Sequence, residues 1–275
     1  MSFRFLESLL IIAALLFCAS KATLGATSGS DSGELRVCAD PDNLPFSNIR
    51  QEGFENRIAE LIARDLNLHL SYVWQRMGRG FVREYLNKSR CDVLIGIPVR
   101  YGPVATTAPY YRSSYVFVTR KHGKLHPASL DDPILRESKI GIQAVDEEYT
   151  PPAQALARRG MQNSLVGFYG VGAHAADVVR AVAARKVDLA VVWGPTAGYA
   201  ARRFRELEVR LVTPEMDPPG LPLTFEIAMG VRKGNDALRR ELDTALQRHR
   251  PEIQRILSSY GVPQLELISR TQADN

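Results

Sequence analysis

His122 and His126 stand four residues apart, the interval that sets two imidazoles on one helix face for a shared metal. Gly123 and Pro127 interrupt any helix there, so the pair reads as a solvated loop and not as a ligand set. Asp146, Glu147 and Glu148 offer carboxylate oxygens of the kind a hard cation takes. Three consecutive acids do not converge on one point, and a solvated loop is the plainer reading. His69 and His174 are isolated. Gly78 and Gly80 form a fragment of a dinucleotide fingerprint with no third glycine at the needed spacing, which leaves a turn before a helix. The chain holds no Gly-x-Ser-x-Gly elbow, no His-Glu-x-x-His and no Cys-x-x-Cys. These residues call for binding, not catalysis, and for no metal or cofactor.

The polar side chains best placed to bind are Asp40, Asn43 and Ser47, and their place follows from the elements around them. Leu35–Ala39 is a short apolar run suited to a buried strand. Asp40–Ser47 breaks it with two prolines and an Asp-Asn pair. After Gly53, Phe54, Ile58, Leu61, Ile62 and Leu66 fall on one helical face. In an open α/β sheet, the loop that leaves a strand's carboxyl end is where ligands sit. The other role for the three is to cap the loop itself.

The same alternation continues. Leu68–Gln75 predicts a half-buried strand, Phe81–Asn87 a second helix and Asp92–Ile97 a third strand, parallel to the first with right-handed crossovers. Tyr115–Thr119 is a strand and Lys121–Asp132 a polar loop. Lys139–Gln143 then begins a second strand-helix set, with Thr150 and Pro151 starting a helix that Gly160 ends. Leu165–Phe168 and Val187–Trp193 are strands about a helix at Ala175–Ala184. Pro214–Pro222 reads as a surface loop, Thr224–Val231 as a strand, and Asn235–Arg248 and Pro251–Tyr260 as closing helices. The class is α/β.

With 275 residues, 45% hydrophobic, there is enough chain for one large domain or two modest ones. A net charge of +5 without a long basic run gives no footing for nucleic acid. Residues 1–26 read as a secretory signal: Arg4, then the nine apolar residues Leu9–Phe17, then small residues Ala19–Ala26. The apolar core is too short to span a bilayer. Phe17 stands where a lipoprotein signal wants a small residue before Cys18. The expectation is a soluble, exported, periplasmic protein with no membrane anchor and a flexible tail at 27–33. Cys38 and Cys91 remain after export, an even count in an oxidising compartment that favours a disulfide. The other reading is two small buried apolar side chains.

Several strings carry a resemblance. Asp40-Pro41, Leu44-Pro45-Phe46-Ser47 and Gly53-Phe54-Glu55 opening a helix resemble the start of periplasmic solute-binding proteins of the two-domain, hinge-closing kind (type II). Pro109-Tyr110-Tyr111 before an apolar strand resembles the segment that leaves their first domain. Residues 150–160 and 188–199 resemble the branch associated with PQQ-dependent methanol dehydrogenases of methylotrophic bacteria. The resemblance implies two domains, 34–111 with 227–275 and 112–226, each a mixed, mostly parallel sheet flanked by helices. Two crossover segments near Arg112 and Phe225 would join them. It implies an accessory factor, not an enzyme, that assists assembly or activation of that dehydrogenase, with a small ligand or peptide segment in the cleft. The alternative is the solute-binding component of an ABC importer.

The resemblance also suggests site residues. Amino-acid-binding relatives hold the ligand carboxylate with an arginine, and Arg100 stands nine residues before Pro109. The other reading of Arg100 is a solvent-facing loop residue. Trp193-Gly194-Pro195 occupies the place of the relatives' ammonium-pairing Asp, and Val145–Thr150 that of their anion loop, so a free amino acid is not the expected ligand. Tyr110, Tyr111 and Trp193 would line the cleft or else pack hinge and core. Tyr111, Arg112 and Trp193 are the expected partner anchors at its mouth.

Overall fold

The computed structural model describes residues 33–76, 78, 80–145 and 148–268. The expected signal peptide 1–26 lies outside the described residues, as do 27–32 of the tail and Asp146 and Glu147 of the acidic run. The first half of the chain gives β1 (Glu34–Ala39), α1 (Phe54–Asp65), β2 (His69–Trp74), β3 (Val93–Pro98) and β4 (Tyr111–Arg120). Then follow β5 (Ile140–Val145), α2 (Pro151–Arg158), β6 (Leu165–Tyr169), α3 (Asp177–Ala183), β7 (Leu189–Trp193) and α4 (Gly194–Ala201). The chain closes with β8 (Leu207–Leu211), β9 (Thr224–Val231), α5 (Asp236–Arg248) and α6 (Arg250–Ser259).

The strands pair in the order β6-β5-β7-β4-β9-β3-β1-β2, with β8 on β4. Within each half the pairs β1–β2, β1–β3, β5–β6 and β5–β7 are parallel, and every pair made by β4 or β9 is antiparallel. This is a mixed α/β architecture. β4 and β9 lie side by side in its middle, with Arg112 opposite Glu226 and Ser113 opposite Phe225. The residues expected near the two crossings are thus neighbours in one ladder.

Strand alternation explains how both faces are covered. Leu35, Val37 and Ala39 of β1 pack on Phe54, Ile58 and Ile62 of α1, and Cys38 points to the other face with Phe81, Leu86 and Leu94. In the second half, Phe117, Ile142, Leu189 and Val191 meet Ala153 and Leu156 of α2. Val116, Val118, Ala190 and Val192 meet Val178 and Val182 of α3 and Ala197 of α4. Each such Leu, Ile or Val withdrawn from water contributes roughly 1.5–3 kcal/mol.

Several elements differ from the expectation. Phe81–Asn87 is a single wide turn, Val82–Leu86, whose Asn87 N–H reaches back to the Val82 carbonyl at 2.9 Å. Burial of Leu86 holds it, and the segment is too short for the i to i−4 ladder to pay its nucleation cost. α4 and β8 have no counterpart in the pattern read from the sequence. Gly194, Pro195 and Gly198 look like helix breakers in α4, yet a Cβ at Gly198 would lie 1.9 Å from the Gly261 carbonyl oxygen. The small residues there let the carboxyl-terminal segment cross the helix.

Cys38 and Cys91 form a disulfide, with Cα atoms 5.5 Å apart, because Cys38 pairs with Leu94 in the β1–β3 register and Cys91 lies just before that strand. Titration of the unfolded, unreduced chain is expected to find no free thiol here. Replacing both cysteines by alanine is expected to cost roughly 2–4 kcal/mol in denaturant unfolding. Two reactive thiols, or an unchanged midpoint, would contradict that.

Candidate functional site

The carboxyl ends of the parallel strands in both halves converge on a cavity of about 330 Å³. Its walls come from the loop after β1, from Ile95–Pro98 of β3, from Gln143 of β5, from Gly170–Val171 after β6, and from Trp193 at the end of β7. The loop after β1 is folded by its own side chains. Asp40 Oδ1 accepts from the Asp42 N–H at 2.9 Å, and Ser47 Oγ donates to the Asp40 carbonyl at 2.7 Å. Asn43 reaches across, its Oδ1 accepting from the Gly172 N–H at 3.2 Å, and so joins the two halves at the cavity's edge.

The opposite wall is set by Gln143, which is buried and bonded at both ends of its amide. Its Oε1 accepts from the Trp193 N–H at 2.9 Å and its Nε2 donates to the Ala175 carbonyl at 3.3 Å. Thr150 Oγ1 donates to the Gln143 carbonyl at 3.0 Å, a bond it makes in place of capping α2. Trp193, Tyr115 and Phe225 form an edge-to-face cluster with centroids 5.3, 5.8 and 6.4 Å apart. Phe46 closes the apolar wall.

Glu55 also lines the cavity, at 8% exposure. It lies in the first turn of α1, and its carboxyl fills the space above Gly96: a Cβ there would stand 1.8 Å from Glu55 Oε1. Gly96 has φ of +80°, a conformation that favours glycine, so the backbone of β3 is shaped to admit the acid. Burial, and next the nearby Asp40 carboxylate, push Glu55 up to about 8. The described residues that line the cavity include these two carboxyls and no Lys, Arg or His.

Of the residues singled out in the sequence, Asp40, Asn43, Ser47 and Trp193 lie on the cavity wall. Arg100 lies outside it, exposed, with φ of +65° in the turn after β3, so it is not set to hold a carboxylate in this cavity. Tyr110 and Tyr111 are buried in the first-half core, where Tyr111 meets Phe54 at 6.1 Å, because they lead into β4 beneath α1. Arg112 is turned to Glu215, with which it pairs, and donates to the Glu266 carbonyl at 3.3 Å. It braces the carboxyl-terminal segment, whose Leu265 N–H bonds the Arg112 carbonyl at 2.9 Å. His126 is held by Glu208 at 2.6 Å, and among the described residues no three His, Cys, Asp or Glu gather as a metal site.

Sequence pattern alone does not assign Glu55, Gln143, Tyr115 or Phe225 to the site, yet all four line it. A first-turn Glu ordinarily reads as a solvated partner of the helix dipole. The one available signal was Gly96 inside the apolar run Val93–Pro98, which marks a close approach in a strand.

Comparison with known proteins agrees with this fold. Protein MoxJ of Methylorubrum extorquens is 34% identical over 268 residues, spanning 90% of this chain and 87% of the relative. Protein MoxJ of Paracoccus denitrificans is 30% identical over 265 residues, spanning 90% and 95%. Among solved structures, periplasmic binding protein XoxJ from Methylobacterium extorquens AM1 is 37% identical with a TM-score of 0.69, covering 85% of this chain and all of that one. MxaJ from Methlophaga aminisulfidivorans MPT gives 28% and a TM-score of 0.72, covering 84% of this chain and all of that one. The bacterial extracellular solute-binding proteins, family 3, match residues 35–262, and the chain belongs to that family.

Proposed function

We propose that this protein is a periplasmic, binding-protein-like accessory factor that assists assembly or activation of a PQQ-dependent methanol dehydrogenase. The observation that carries the reading is the likeness to the MoxJ proteins over 90% of the chain. The strings behind the narrower resemblance fall on α2 and on the join of β7 with α4, next to the cavity. In this reading residues 1–26 direct export. Residues 34–111 with 227–275 form one lobe, 112–226 the other, and β4 and β9 act as the hinge. No chemistry is required of the chain itself. Contact with the dehydrogenase would use exposed tyrosines near the cavity: Tyr101, Tyr149 and Tyr169 are 41%, 65% and 48% exposed. Tyrosine combines large area with a polar end and is favoured at such contacts.

A strain that lacks this chain is expected to show at least tenfold less methanol dehydrogenase activity in periplasmic extract, restored by the wild-type protein. Affinity capture from methanol-grown cells is expected to recover the dehydrogenase. A deletion strain with full activity would end the reading. The bounded cavity of about 330 Å³, within the range that small-molecule sites occupy, favours solute capture for an importer as the second reading. That reading expects capture of a permease component and unchanged dehydrogenase activity.

A further inference from the structure

We propose that the cavity takes a small organic cation, such as an alkylammonium or guanidinium group, against the carboxyl of Glu55, with Trp193, Tyr115 and Phe225 as its aromatic wall. The inference rests on reading the cavity as a ligand site and is independent of the dehydrogenase. Glu55 is more than nine-tenths buried, what remains open of it faces the cavity, and neither a hydrogen bond nor a cation among the described residues offsets its burial. An acid left so is costly, and the cost has no purpose in packing, since an apolar side chain would fill the same place. The fold instead accommodates the carboxyl by shaping β3 at Gly96.

Among the described residues, the groups that act on the Glu55 carboxyl or are acted on by it supply no positive charge. They are Asp40 at the end of β1, Tyr72 of β2, and Tyr110 and Tyr111 at the start of β4. A ligand that brings the cation completes the pair, and aromatic rings attract the same charge through their quadrupole. An anionic ligand would meet the Glu55 carboxyl and gain neither contact. The cavity volume of about 330 Å³ has room for the cationic group and for a larger organic body attached to it.

Because a cation pairs with the ionised acid, binding displaces the proton that Glu55 carries at neutral pH. Affinity then climbs as pH rises towards about 8 and levels off above it, a rise of about a hundredfold from pH 6 to pH 9. Calorimetry on the mature chain with methylammonium, ethylammonium and guanidinium chlorides, against sodium acetate and sodium chloride, tests this. At least one cation is expected to bind with that pH profile and to release close to one proton at pH 7, read from two buffers of different ionisation enthalpy. Glu55→Gln is expected to weaken it at least tenfold at pH 9 and to abolish the pH dependence. No cation binding above the sodium controls at pH 9, equal binding to Glu55→Gln, or binding without proton release overturns the inference. The proton measurement needs only the wild-type chain, so it decides even where the variant folds poorly. A chain that restores dehydrogenase activity yet binds none of the cations overturns this inference alone.

Discussion

Glu55→Gln is expected to make the protein markedly more stable than the wild type at pH 9 and to leave it nearly unchanged at pH 4.5. Burial raises Glu55 in the folded chain to about 8 from an ordinary 4.5. Between those values the folded chain holds a proton that the unfolded chain has lost. Wild-type stability therefore falls as pH rises through this window and is flat above it, the opposite of the usual carboxylate that is paired in the fold. The whole gap corresponds to about 5 kcal/mol, an upper figure because water or local rearrangement can relieve part of it. Glutamine matches the shape of the neutral acid and never ionises, so the variant should lack this slope. Urea midpoints of both proteins at pH 4.5, 7 and 9 measure the effect, and comparison of the two cancels every other titrating group. Parallel profiles would mean that Glu55 reaches solvent or a counter-charge in the free protein. A saturating cation should narrow the difference at pH 9, because it stabilises only the chain that carries the carboxylate.

What the sequence discloses of this site divides along a physical line. The position of Asp40, Asn43 and Ser47 follows from local order alone: an apolar strand, then turn residues, then the helical period from Phe54 to Leu66. Trp193 is legible in the same way, as the last residue of a continuous apolar strand. Glu55 is not, because its environment is made by Gly96, a residue of another strand. Tyr110 and Tyr111 mislead for a related reason. Their types suit a cleft, but the strand they begin runs beneath α1, and both rings turn into that core. Local pattern puts Arg112 at the start of a strand, while the direction of its guanidinium depends on Glu215 and the returning carboxyl-terminal segment. Local chemistry and period place the elements. Which polar groups end up facing one another is decided by long-range register.

Asp217→Ala is expected to cost roughly 1.5–3 kcal/mol, the range for hydrogen bonds made by a charged group, since the aspartate is buried but its arginine partners reach solvent. The proline-rich stretch 214–222, which reads as a surface loop, carries this aspartate to 1% exposure in a short hairpin of Met216–Asp217 with Leu221–Pro222. Its Oδ1 accepts from Arg159 Nη2 at 2.5 Å, and its Oδ2 from Arg158 Nη2 at 2.9 Å and Arg159 Nη1 at 3.1 Å. Alanine would leave those three donors without this acceptor at the end of α2. Asp131 also pairs with Arg159, at 2.8 Å, but it is 67% exposed, and Asp131→Ala is expected to cost under ~1 kcal/mol. The contrast between the two variants in denaturant unfolding is the test. Equal small losses would assign the hairpin's stability to Leu221 and Leu223, which pack in the second-half core. The expected larger loss at Asp217 has a consequence for the site, because the hairpin leads directly into β9 and hence to Phe225 on the cavity wall. Asp217→Ala should therefore also weaken cation binding, whereas Asp131→Ala should not.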